Sequence, residues 1–166
     1  MARALVLGNG SMSVCYDAFG QIRDVYAPHV GLENHLAPQH VHKVGVWIES
    51  VLYWLDGGSF DVSVSYEQGT FVGTVVATHK TLPITLKSVD VVYNESNILV
   101  RQFSIVNTGN SDIACRLFVN QQFHIGGISY GDTAYYSPDL HAVIHYKGRR
   151  VFLASMQNSA GEFFSS

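Results

Sequence analysis

Three consecutive segments, ILVRQFSIV (98–106), NTGNSD (107–112) and IACRLFVNQQFH (113–124), decide the fold. In the first, Leu99, Arg101, Phe103 and Ile105 alternate with Ile98, Val100, Gln102 and Ser104, the period of two that belongs to a strand. The second packs Asn, Gly, Ser and Asp into six positions, residues that supply turn conformations and local side-chain acceptors. In the third, Ile113, Cys115, Leu117, Val119 and Phe123 share one side. Arg116, Asn120, Gln122 and His124 share the other, interrupted by Phe118. The pattern predicts one long strand over 113–124 with a core face and a wet face.

Working outward, the same signal recurs and a helical period is absent. Leu5 to Leu7 reads as a first strand, and Lys43 to Leu55 as a hairpin or bent strand carrying Trp47, Ile48, Tyr53 and Trp54. Phe71 to His79 and Thr81 to Tyr93 follow with only a short break. A last hairpin joins His141–Tyr146 to Val151–Ala154 through Lys147-Gly148-Arg149-Arg150. Strands joined by short turns, without crossover helices, predict an all-β fold: antiparallel sheets packed face to face as a two-sheet β-sandwich, with a closed barrel as the alternative. No repeat or linker divides the chain, so residues 1–166 read as a single domain.

Composition narrows the function classes. The chain has 166 residues, enough for a core without staples, and 47% hydrophobic against 14% charged residues, so it is a folding sequence and not a solvated tail. A net charge of −3 without a basic run argues against nucleic acid and against an anionic membrane surface. No apolar run is long enough to span a bilayer, and Met1-Ala2-Arg3-Ala4-Leu5-Val6-Leu7 lacks the apolar region of a secretory signal; the expectation is a cytoplasmic protein. Cys15 and Cys115 belong to no Cys-x-x-Cys pair and read as buried free thiols. The end, Gly161-Glu162-Phe163-Phe164-Ser165-Ser166, has no stop signal, and its paired phenylalanines read as a truncation of something longer.

Candidate chemistry lies in two places. The loop from Pro28 to Val41 holds His29, His35 and His40 with Glu33 and Asn34, and His42 follows it. Long loops concentrate function, and His40-x-His42 would place two imidazoles on one side of an extended segment. No third ligand is evident, so the loop reads as one whose polar groups bond locally or against a neighbouring domain, with no metal and no cofactor. The aromatic residues Trp47, Trp54, Tyr135 and Tyr136, with Tyr53 and Tyr130, are candidates for stacking on sugar rings, although such residues commonly fill a core or rim. The glutamates fall at turns or strand ends, and the aspartates mostly neighbour Gly, Ser or Pro, where Asp stabilises turns; no catalytic pair is assigned. Gly-x-Ser-x-Gly is absent, and Gly8-Asn9-Gly10 opens no phosphate loop.

A resemblance is carried by the segment GNGSMSVCYDAFGQIRDVYAPHVGLENH (8–35). Its parts are Leu7-Gly8-Asn9-Gly10 into a strand, Gly20-x-Ile22-Arg23-Asp24 into Tyr26-x-Pro28, and Gly31-x-Glu33-Asn34-His35. With Lys43–Ile48, Trp54-Leu55-Asp56 and His141–Arg150, it resembles the N-terminal β-sandwich of prokaryotic family 15 glycoside hydrolases, the glucoamylase and glucodextranase group. The middle of the chain is generic sandwich sequence. The resemblance implies a supersandwich, shorter here than the family's, joined in the parent to an (α/α)6 barrel whose two glutamates hydrolyse α-glucosidic bonds with inversion. It implies a domain that is catalytically silent alone, packs against that barrel through His29, Asn34 and His35, and has a glucan oligosaccharide as its remaining partner. A free-standing carbohydrate-binding module and an assembly domain joined through an exposed edge strand are the alternatives.

Overall fold

The computed structural model describes residues 3–36, 42–128 and 130–163. Thirteen strands follow in chain order. They are β1 (Leu5–Gly8), β2 (Ser13–Tyr16), β3 (Ile22–Tyr26), β4 (Lys43–Ile48), β5 (Val51–Trp54), β6 (Phe60–Tyr66) and β7 (Gly73–His79). Then come β8 (Ile84–Val92), β9 (Leu99–Asn107), β10 (Cys115–Asn120), β11 (Thr133–Ser137), β12 (Ala142–Lys147) and β13 (Arg150–Ala154). One 3-10 turn, Ile125–Gly127, interrupts the series. No helix among the described residues is long and apolar enough to cross a membrane.

All ladders are antiparallel, as expected of an all-β sandwich. The sheet β6-β7-β8-β9 forms one layer, and β1-β2-β3 and β10-β4-β5 lie side by side in the other. The first core packs Leu5, Leu7, Val14, Tyr16, Ile22 and Val25 against Val64, Val92 and Leu99. The second packs Val44, Val46 and Ile48 against Phe60, Ala77, Ile84 and Leu86. Gly20, at φ +70°, closes the β2–β3 turn against β7: a Cβ there would meet Val75 Cγ1 at 2.5 Å. Only glycine combines that conformation with that approach.

The half-layers are spliced by a side chain. Gln21 is fully buried; its Oε1 accepts from Val44 N at 2.7 Å and its Nε2 donates to Val44 O at 3.4 Å. A carboxamide thus stands in for a strand residue. Next to it, Ile22 and His42 exchange backbone bonds of 3.2 and 2.8 Å. Asp17 holds the preceding turn by accepting from Phe19 N and Gln21 N.

A polar seam separates the cores. Along β8 the inward row reads Ile84, Leu86, Ser88, Asp90, Val92, all buried, with the polar pair between the two apolar clusters. Asp90 accepts from Arg101 Nε at 3.0 Å, and that guanidinium lies over the rings of Phe103 (4.9 Å) and Tyr16 (5.5 Å). Burial pushes the Tyr16 phenol well above its ordinary range. Asp24 is likewise buried on a strand, taken up by Arg3 (2.9 Å), Arg23 (3.2 Å) and Asn34 (2.7 Å). The reading of the aspartates as turn residues holds for Asp17 and is corrected for these two. Arg101 lies on the neighbouring strand from Asp90, and Arg3 and Asn34 lie far from Asp24 in sequence, so neither set of partners is visible locally.

The sheet β11-β12-β13 meets the body through rings. His145 and Phe152, opposite one another, face Phe123 at 4.8 and 4.5 Å, and Phe123 also takes His42 edge-on at 4.6 Å. The strand predicted over 113–124 ends at Asn120, because its partner β4 starts at Lys43. Phe123 then leaves the ladder and turns in among the histidines. Burial, reinforced by His145 and Arg101, lowers His42 to about 3. The rings of His42 and His145 therefore act as neutral aromatics, and neither Nε2 has a hydrogen-bond partner among the described residues.

Three outcomes follow from this packing. Gln21→Ala removes both bonds to a buried backbone and is expected to cost about 2–4 kcal/mol in urea denaturation, whereas Gln21→Glu at neutral pH should be worse than a solvent-exposed exchange. Arg101→Met leaves the Asp90 carboxylate uncompensated, at roughly 3–5 kcal/mol, and Asp90→Asn in the same chain should recover part of it. His42 binds its proton near 6.5 when unfolded and near 3 when folded, so the unfolded chain holds more protons between those values. Its contribution is complete above pH 6.5 and drains away as pH falls toward 3. His42→Phe should flatten the stability-against-pH curve in that window, and an unchanged slope would refute this account of His42.

Candidate functional site

The chain between β3 and β4 supplies most of the predicted site residues. Asn34 Oδ1 accepts from Val25 N (3.0 Å) and Leu36 N (3.1 Å), while its amide donates to Asp24. That ties the loop's return to β3. His35 is fully buried: its Nε2 donates to Ala27 O at 2.7 Å, and its Nδ1 accepts from Gly126 N at 3.2 Å. The two bonds fix one tautomer, and Phe152 lies 4.9 Å from the ring. Burial lowers the His35 pKa, with Arg150 acting in the same direction and the Ala27 bond and Glu33 opposing it.

The expectation that His35 faces a neighbouring domain is therefore corrected, because both its nitrogens are used inside this one. His42 is corrected on the same ground, being buried against Phe123. Asn34 is half-buried and committed to the loop itself. His40 lies outside the described residues. His29 is exposed.

What the loop does present is Leu32, 75% exposed at its turn. Sequence reasoning missed it; the one available signal was an isolated apolar side chain between Gly31 and Glu33. A cleft of about 390 Å3 lies on one flank, between Leu32, Asn34, Leu36 and the His124–Gly127 turn. A smaller one of about 100 Å3 lies on the other, against Pro28, His29 and Arg150. Glu33 borders both and is ion-paired to Arg150. Among the described residues, Glu33 is the one carboxylate that lines either cleft. Among the described residues no group of three or more His, Cys, Asp or Glu could hold a metal ion.

The aromatic candidates divide. Tyr135 and Tyr136 are successive residues of β11 and so point to opposite faces of its sheet. Tyr135, half-exposed, meets Tyr146 at 6.1 Å and 81°. Tyr53 joins the second core, 4.7 Å from His79. Trp47 and Trp54 lie on another sheet, where the register Arg116–Trp47–Leu52 and Phe118–Gly45–Trp54 places both on its outer face. Neither belongs to either core.

Comparison with known proteins adds one relationship. No family profile matches the chain, and no solved structure matches it. It is 23% identical over 147 residues to an uncharacterized glycosyl hydrolase of Methanocaldococcus jannaschii. The match takes in 89% of this chain and 23% of that protein. The chain is thus related at a distance to a glycosyl hydrolase, and it spans less than a quarter of that relative's length.

Proposed function

We propose that this chain is the non-catalytic N-terminal β-sandwich domain, of the supersandwich type, of an α-glucoside hydrolase resembling the family 15 enzymes. One observation carries the reading: nearly all of the chain aligns with a small fraction of a much longer glycosyl hydrolase. The catalytic work would then belong to a helical barrel elsewhere in the parent, acting on glucan or oligosaccharide.

In this role the loop over residues 28–36 is the contact element. Its base is fixed by Asn34 and His35, while Leu32 and His29 stand outward, so a rigid stem presents a short apolar tip. A tip of that kind suits a pocket on a neighbouring domain, where burying one leucine contributes about 1.5–3 kcal/mol. The two unpaired cysteines, Cys15 and Cys115, fit a reducing, cytoplasmic compartment.

The test compares residues 1–166 with the longest product of the reading frame, following glucose release from maltooligosaccharides, isomaltooligosaccharides and trehalose. Activity in the longer protein alone is expected; turnover by the short chain would overturn the proposal. In the longer protein Leu32→Asp should lower the melting temperature and leave that of the isolated chain unchanged.

A further inference from the structure

We infer that the outer face of the β10-β4-β5 sheet is a binding platform for neutral oligosaccharides. Two cross-strand rows build it. Phe118, Gly45 and Trp54 form one row, and Arg116, Trp47 and Leu52 the next. The missing side chain at Gly45 shapes the surface: a Cβ there would meet Trp54 Cε3 at 2.7 Å and Cδ2 at 3.2 Å. The indole of Trp54 therefore lies across the glycine, close to the backbone, instead of standing off the sheet. Trp47 is held by the Arg116 guanidinium, 5.3 Å from its ring centre. Phe118, 41% exposed, flanks Gly45 on the opposite side from Trp54.

Polar groups close one end. Lys43 and Asn120 face each other one row beyond Gly45, and Lys43 Nζ meets Asp56 Oδ2 at 2.7 Å. The rows are spaced at two residues, roughly 6.6 Å, so the aromatic strip and its polar end exceed the footprint of a single sugar ring. A pyranose has apolar C–H faces and a rim of hydroxyls. The faces suit rings lying on a sheet, and the hydroxyls suit the amide, carboxylate and ammonium at the end. Lys43 and Asp56 neutralise each other at the polar end, and the Arg116 guanidinium beside Trp47 adds donors for sugar hydroxyls. The two tryptophans, each half-buried, lie with Phe118 and the stacked Arg116 outside both cores.

The geometry stands on its own, and the choice of sugar over a protein partner rests on the glycoside hydrolase reading above. The experiment titrates the 166-residue chain with maltoheptaose and, separately, cellohexaose. It follows tryptophan fluorescence and the rate of tryptophan oxidation by N-bromosuccinimide. A saturable fluorescence change with slowed oxidation is expected for at least one sugar. Trp47→Ala and Trp54→Ala should each weaken binding by about tenfold or more, whereas Tyr135→Ala should leave it unchanged. If a tryptophan variant fails to fold, Phe118→Ser and the oxidation protection of the unaltered chain carry the same test. No response of the unaltered chain to either sugar overturns the platform, as does binding that survives both tryptophan substitutions. Tryptophans shielded from oxidation only within the longer, active protein, without a sugar effect, would make this face a domain contact and overturn the platform alone. Sugar binding by the chain together with a longer protein that hydrolyses no glucoside would overturn the proposed function and leave the platform standing.

Discussion

The carboxamide of Gln21, bonded on both sides to the backbone of Val44, holds β1-β2-β3 and β10-β4-β5 in one layer. A four-stranded sheet with two cores on its inner face needs an opposing layer broad enough to cover both. Neither three-stranded sheet alone can do so, and among the described residues their ladders meet at the Ile22–His42 bridge. An asparagine at position 21 would be one methylene short of the reach required, and an apolar residue would leave a buried donor and acceptor unmatched. The splice also explains the loop. Since β3 and β4 already adjoin at Ile22 and His42, the residues between Tyr26 and His42 are an excursion beyond what chain closure demands. Asn34 and His35 pin residues 34–36 back onto β3, and Leu32 stands exposed beyond them.

Between the two cores the fold accepts polar groups on unequal terms. Asp90 Oδ2 accepts from Arg101, whose guanidinium lies over two rings, while Asp90 Oδ1 has no hydrogen-bond partner among the described residues. His42 and His145 have no such partner and are tolerated because imidazole can shed its charge. An arginine at either position could not. The appended sheet β11-β12-β13 is thereby attached through rings that stay neutral at ordinary pH, with Phe123 at their centre.

Much of this architecture was legible. The alternation in 99–105, the turn chemistry of 107–112 and the hairpin over 141–154 reappear as β9, its following loop and β12–β13. Strand β6 over Phe60–Tyr66 was not singled out, because FDVSVSY mixes a weak apolar row with Ser and Asp and sits at a sheet edge. The histidine loop misled for a different reason. His35 follows Glu33 and Asn34, and its burial depends on Phe152 and Gly126, more than ninety positions away in sequence. Periodicity reports which residues share a face of one element; it does not report which residues of another element will fill the space above them. The tryptophans illustrate the same limit. Their strand was recognised, but which face looked outward was decided by Gly45 and by the register with β10, which no local pattern encodes.

The long edge of the sandwich carries one last constraint. β9 presents nine residues along one border of its sheet, and an unprotected edge of that length is a template for a foreign strand. Its single charge, Arg101, points inward, and its guanidinium is spent on Asp90 and two rings. A strand added at this edge would cover the Arg101 side chain further and strip water from its remaining donors without offering a carboxylate in exchange. An inward charge on an edge strand opposes pairing for that reason. The ion pair that separates the two cores thus also opposes the addition of a strand at β9.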